Sequence, residues 1–269
     1  EVLSSPPMHG VLTRLQCCPP TCGAAAALLT SEKFTKKYGT RDETFARVSQ
    51  KARLHAKHNP RAIFRDEVSI EEVLSSPPMH GVLTRLQCCP PTCGAAAALL
   101  TSEKFAKKHG LRSDVKMTGQ SMTTDFPSSF EGKTMMQIVG SDMSQAAAND
   151  LYERTGIGPE DVDVVELHDC FTSNEIITYE ALQLTEEGGS EQFVSDGENT
   201  YGGKVVVNPS GGLLSKGHPL GATGLGQCAE LVWQLRGEAG LRQVEGARVG
   251  LQHNLGLGGA CVVSLYQKV

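Results

Sequence analysis

Three things the sequence lacks narrow its function before any motif is read. Its 269 residues carry 25 Lys plus Arg against 30 Asp plus Glu, a formal net charge of -5. The missing basic excess excludes a phosphate-neutralising face, on which duplex affinity rests, so no nucleic-acid partner is expected. No apolar run reaches the about 18 residues that span a bilayer, and the charged-then-apolar order of a secretory signal is missing at the N-terminus. No membrane span is therefore expected either. At 39% hydrophobic residues the composition argues against disorder and for one or two globular domains.

Cysteine is scarcer than its count of nine suggests. Residues 1–39 match residues 72–110 at every position except Thr35/Ala106 and Tyr38/His109, so Cys17, Cys18 and Cys22 recur as Cys88, Cys89 and Cys93. Cys170, Cys228 and Cys261 are the remainder. The CCPPTC segment has adjacent cysteines, prolines and no His at ligand spacing, which makes a poor zinc site, and a chain this large needs no disulfide staple. Thiols in a reducing compartment are expected, with Cys228 and Cys261 as core residues. Solenoid units diverge and come in threes or more, so two near-identical copies fit a recent duplication or a joining error better. The copies would compete for one structural slot.

Charge also divides the chain. Residues 36–65 hold nine basic side chains against Asp42 and Glu43, while residues 141–200 hold fifteen acidic ones against Arg154. Two solvated faces account for this pattern, and a phosphate-bearing substrate meeting the basic stretch is the functional alternative.

From residue 141 the pattern is α/β. An Ala-rich helix over 141–156, capped by Ser141 and stopped by Gly156, precedes a Val-rich strand over Asp161–Leu167. A helix over Thr172–Leu184, a short strand over Lys204–Val207, an apolar helix over Ala222–Leu235 and strands over Ala247–His253 and Ala260–Tyr266 come next. Such alternation implies a parallel or mixed sheet covered on both faces, with ligands at loops beyond strand ends.

The chemistry-bearing residues fall at those loops. His168, Asp169 and Cys170 follow the first strand, where an imidazole brings a thiol toward neutral-pH proton transfer. His218 stands between Gly217 and Pro219, and His253 with Asn254 precedes a Gly-rich turn whose backbone N–H groups suit an oxyanion hole. Histidines, a thiol and free amides on three converging loops suit acyl transfer or proton abstraction beside a carbonyl. A zinc site from His168, Cys170, His218 and His253 lacks any close ligand pair at zinc-finger or HExxH spacing. Gly212–Gly217 has phosphate-loop spacing, but His218 stands where that loop requires Lys.

At these residues the chain resembles a known family. VVELHDCFTSNE, NTYGGKVVVNPSGGLLSKGHPLGATGLGQCAELVWQLRGEAG and LQHNLGLGGACVVSLY are similar to the C-terminal half of thiolases, and HDCF with HN-x-G narrows this to the sterol-carrier-protein-type 3-ketoacyl-CoA thiolases. The resemblance implies a thiolase-like α/β fold, here a complete C-terminal βαβαβαββ domain plus an incomplete N-terminal one. It implies a homodimer, a peroxisomal location or otherwise the cytoplasm, acyl-CoA and CoA as partners, and no cofactor beyond CoA as co-substrate. A Ser-Lys-Leu-type peroxisomal address is missing.

By the same resemblance, His218 activates the nucleophilic Cys and binds the thioester oxygen, Cys170 is the acid/base thiol, and His168 helps form an oxyanion hole. His253, Asn254 and Gly256 support a second one. Lys51 and His55, in the KARLHAKHNP stretch, correspond to a loop closing over CoA and are expected to bind substrate. The family's nucleophilic Cys has no counterpart here, so the chain is expected to be inactive, or to serve as a noncatalytic CoA-ester-binding or dimerisation module. The expected division is a redundant copy over 1–37 of 72–108 without native packing, a partial N-terminal domain over 38–140, and the C-terminal domain over 141–269.

Overall fold

The computed structural model describes residues 31, 34–131, 135–256 and 259–269. Cys17, Cys18, Cys22 and most of the first copy lie outside the described residues. Helix α1 spans Asp42–Ala56, with Asp42 and Glu43 in its first turn and Arg53 in its last, charges that complement the helix dipole at both ends. Phe45, Val48 and Ala52, spaced three and four apart, form its buried stripe. A two-stranded ribbon comes next, with β1 at Pro78–His80 and β2 at Leu83–Thr84.

The body of the fold is a five-stranded mixed sheet. Strand β3 spans Val115–Thr123, β4 Val164–Glu166, β5 Val206–Val207, β6 Val249–Gly256 and β7 Ala260–Lys268, in the order β3-β7-β6-β4-β5. Strand β4 runs parallel to both β5 and β6, whereas β6–β7 and β7–β3 are antiparallel. Val164, Val165 and Glu166 are all buried, as a central strand covered on both faces requires.

Helix α2 (Ser141–Thr155) covers one face. Leu151 and Thr155 lie so close to Gly119 of β3 that a Cβ there would come within 2.7 and 2.8 Å of their side chains, so only glycine permits this approach. Helix α3 (Thr172–Ala181) packs beside α2, and helix α4 (Thr223–Arg236) seats Leu231 and Leu235 against Val164 and Tyr266 on the other face.

Two boundaries move from their expected places. The α/β sheet includes β3, which the sequence division assigned to the N-terminal part. Pairing with β7 along its whole length carries that strand into the sheet although its sequence, VKMTGQSMT, is largely polar and has a glycine at its centre. The first copy also does not lie wholly outside native packing. Phe34 is 1% exposed and belongs to the core, with the Tyr38 ring 4.7 Å away. Helix α2 starts one residue earlier than a Ser141 cap implies: Gly140, at φ +91°, is the cap, and Ser141 is the first helical residue.

Candidate active site

The site assembles where β4 and β6 end. Leaving β4, the chain is held by Asn208, whose side-chain oxygen accepts the Leu167 N–H at 2.8 Å and whose own N–H donates to Val165 O at 2.7 Å. Asn208 adopts φ +55°, a left-handed conformation that Asn tolerates better than most residues. Two buried carboxylates fix the turns beyond. Glu166 accepts from the Ser210 N–H at 3.0 Å and its hydroxyl at 2.8 Å, and burial raises its pKa to about 7. Asp169 accepts the Leu213 N–H at 2.7 Å and the Leu214 N–H at 3.4 Å. Burial, with Glu175 nearby, pushes its pKa well above the usual carboxylate range. Gly212, at φ +60°, leaves room for that carboxylate, which a Cβ would strike.

Asp169 thereby ties the HDCF loop to the loop leading into GHP. His168 and His218 meet with ring centroids 5.0 Å apart and planes at 89°. Cys170 is buried beside them in sequence, and all three residues are under 9% exposed. His218 Nδ1 lies 2.7 Å from Thr223 Oγ1, and the Thr223 hydroxyl donates to Pro219 O at 3.0 Å. The hydroxyl proton being spent on Pro219, Nδ1–H of His218 is the donor of the first bond and Nε2 carries the lone pair. Burial, with Lys216 second, lowers the His218 pKa to about 4. Burial first, then the neighbouring His218, His253 and Lys216, holds His168 well below the ordinary imidazole value. Its Nδ1 is buried without a hydrogen-bond partner.

The second copy of the repeat closes over this site, which sequence reasoning missed. The Cys89 N–H donates to Cys170 O at 2.9 Å, Cys88 bridges Phe171, and Pro91 bridges His218. Thr92 lies against Gly217 and Gly94 against Pro219. No local signal in CCPPTC points to loops 80 to 130 residues further on. Cys93 at the end of this segment is exposed.

The expected support residues separate. His253 is fully buried under the HDCF loop, while Asn254 turns its side-chain amide to Gln227 on α4 at 2.7 Å. Gly256 pairs with Ala260 at the end of β6, and its neighbours 257 and 258 lie outside the described residues. Lys51 and His55 are buried and have protein partners. Lys51 Nζ forms a buried ion pair with Glu175 and contacts Tyr179 OH and Val207 O at 3.3 Å each. His55 bonds Asn208 O at 3.1 Å and Thr200 Oγ1 at 2.7 Å. Within the stretch Lys51, Arg53 and His55 are all buried, while Lys57 and His58 beyond the helix are exposed. A cleft lined by His58, Arg61, Trp233 and Arg242 lies at the far end of α4 from His218. Among the described residues no group of three or more His, Cys, Asp or Glu is arranged to hold a metal ion, and no helix is long and apolar enough to cross a membrane.

A mixed sheet with His, Cys and His on strand-end loops defines an α/β protein, and its family follows from comparison with known proteins. A model of the thiolase C-terminal domain-like family matches residues 129–265. Sterol carrier protein 2 of Oryctolagus cuniculus is 60% identical over 237 residues, covering 88% of this chain and 43% of that protein. Among solved structures, the Ltp2-ChsH2(DUF35) aldolase superposes with a TM-score of 0.76 at 21% identity over 91% of this chain and 63% of that one. Human mitochondrial 3-ketoacyl-CoA thiolase gives 0.61 at 18% identity, over 89% and 59%. The chain belongs to the thiolase family. Within it, the similarity at about 60% identity is to sterol-carrier-protein-type members, and the chain spans 43% of the length of the rabbit protein.

Proposed function

We propose that the described residues form the proton-transfer half of a thiolase-type acyl-CoA acyltransferase. The observation that carries this reading is the His168 side chain, buried with an orphaned Nδ1 and facing the His218 ring at right angles next to the Cys170 loop. A buried imidazole nitrogen without a protein partner is costly unless a ligand supplies one, and a thioester oxygen is a partner of the right kind. In this reading His218 Nε2 takes the Cys170 thiol proton and the thiolate abstracts a proton from the carbon beside the thioester carbonyl. The electron pair moves to the carbonyl oxygen, where the His218 imidazolium and His168 donate to it. Charge developing on that oxygen offsets the burial that otherwise disfavours the imidazolium.

The family relationship and the sterol carrier protein relatives support 3-ketoacyl-CoA substrates, CoA as co-substrate, a homodimer and a role in peroxisomal fatty-acid and branched-chain β-oxidation. Acyl transfer further requires a nucleophilic thiol, a role for which none of the described cysteines has the family's sequence context. The chain alone is therefore expected to exchange the α-protons of acetyl-CoA with solvent but not to thiolyse a 3-ketoacyl-CoA. The test is the rate of deuterium entry into acetyl-CoA in D2O, followed by NMR. Exchange falling about 100-fold or more in Cys170→Ala supports the reading. CoA-ester binding without exchange favours the noncatalytic module instead.

A further inference from the structure

His253 lies beneath the HDCF loop, between β6 and α2, and every polar contact of its ring has a sense fixed by chemistry. The backbone N–H of His168 points at His253 Nδ1 across 3.4 Å. A backbone amide only donates, so Nδ1 is the acceptor and the ring proton sits on Nε2. Nε2 lies 2.9 Å from Ser144 Oγ, which accepts that proton. Cys261 Sγ approaches the same oxygen at 3.6 Å as a second, weaker donor. Gln227 Nε2 holds the His253 carbonyl at 3.3 Å and so fixes the backbone from the α4 side. The opposite ring form would set the Nδ1–H against the His168 N–H and leave Nε2 to be served by the serine hydroxyl.

We infer that Ser144 and His253 are positioning residues that act through the His168 backbone: the His168 N–H and the Ser144 hydroxyl together hold His253 as the Nε2–H form, and its Nδ1 anchors the start of the HDCF loop. Neither residue touches the substrate. Strand pairing between β4 and β6 ends at Glu166–Gln252, and the His253 ring continues that connection by side chain where the backbone ladder stops. The placement of His168, and of Cys170 two residues on, thus depends on a hydroxyl 24 residues upstream in a helix. Burial lowers the His253 pKa to about 4, so the neutral ring this arrangement requires is the form present at neutral pH. The catalytic part of the inference rests on the thioester reading above, and the structural part does not.

The test uses the full chain labelled with 15N. In the unaltered protein His253 is expected to show a protonated Nε2 and an unprotonated Nδ1, with the His168 amide protected from solvent exchange. Ser144→Ala is expected to mix the two ring forms and to speed exchange of the His168 amide about tenfold, while Ser144→Thr, which keeps the hydroxyl, restores both. In the acetyl-CoA assay Ser144→Ala lowers the turnover number about tenfold and changes the half-saturating concentration by less than about twofold, because the ester-binding surface is untouched. A proton on Nδ1 in the unaltered protein overturns the inference, as do ring and amide signals in Ser144→Ala identical to the parent's. Loss of fold in Ser144→Ala shifts the decision to His253→Asn, whose side-chain oxygen accepts the same N–H, against His253→Leu. Equal His168 protection in these two also overturns it. An unaltered chain that does not exchange acetyl-CoA protons defeats the thioester reading instead, and the ring and amide signals still decide the positioning.

Discussion

Residues 31–39 and 102–110 are the same nine-residue sequence but for two substitutions, yet the structure treats them differently. Both become helical and both stack aromatic rings four residues apart, Phe34 on Tyr38 at 4.7 Å and Phe105 on His109 at 4.3 Å. Phe34 is nevertheless 1% exposed and Phe105 49%. The element on the C-terminal side of each copy makes the difference. Gly39 leads into α1, which is tied inward by Lys51 on Glu175 and by His55 on Asn208 and Thr200. Gly110 leads instead to the edge strand β3, and of its preceding helix, Glu103–Lys108, Ala106 alone is buried. Tyr38 adds a bond from its hydroxyl to Glu187 at 2.8 Å. A nearly identical local sequence thus acquires two roles according to the element anchored beside it.

The largest effect should come from breaking that anchor. Lys51→Met leaves the Glu175 carboxylate buried without its cation and is expected to cost about 3–5 kcal/mol. Amide exchange should rise through 34–56 while 103–108 stays as it was, and equal loosening of both copies would refute the assigned cause. Phe34→Ala should cost about 3–5 kcal/mol by denaturant titration, whereas Phe105→Ala should stay within about 1 kcal/mol.

Acid should act on the anchored region and the site rather than on the exposed copy. The pKa of His55 is lowered to about 3, those of His218 and His253 to about 4, and that of His168 well below its ordinary value. In each case burial is the leading cause. Below pH 6.5 the unfolded chain binds protons that the folded one refuses, so stability present above that value is lost as pH falls toward 4. From pH 6.5 to 5 each such histidine contributes a loss of about 2 kcal/mol. Glu166 and Asp169, with raised values, oppose it, since their protonated folded forms favour the fold at lower pH. With four groups against two, the denaturation midpoint should drop between pH 7 and pH 5, and a midpoint that rises would show the carboxyls dominate. Smallest of all, Tyr38→His, which removes one of the two differences between the copies, loses an exposed contact with Glu187 and should cost less than about 1 kcal/mol.

Much of the site was legible because its chemistry is written in short runs. HDCF, GHP and HN each stand at a strand end, where an α/β sheet places ligands, and the structure brings His168 and His218 together as their positions suggest. Legibility stopped at groups whose meaning depends on distant partners. Nothing around Ser144 marks it as the acceptor for a histidine 109 residues away, and Asn208 shows only a turn-like NPSGG context. CCPPTC carries no sign that it covers the histidines. The inward contacts of Lys51 and His55 were illegible for the same reason: a basic stretch has the same composition whether its cations face a phosphate or a buried carboxylate.

The sequence by itself determined the order of strands and helices from residue 141, the loops that carry the chemistry and the family to which they belong. These depend on side-chain periodicity, capping and short motifs, whose physical range is a few residues along the chain. Only the tertiary structure decided which copy is buried, which face of the basic helix turns inward, which histidine nitrogen holds its proton and what closes over the site. Desolvation and hydrogen-bond direction settle those questions, and both are set by atoms brought close in space from positions tens to more than a hundred residues apart.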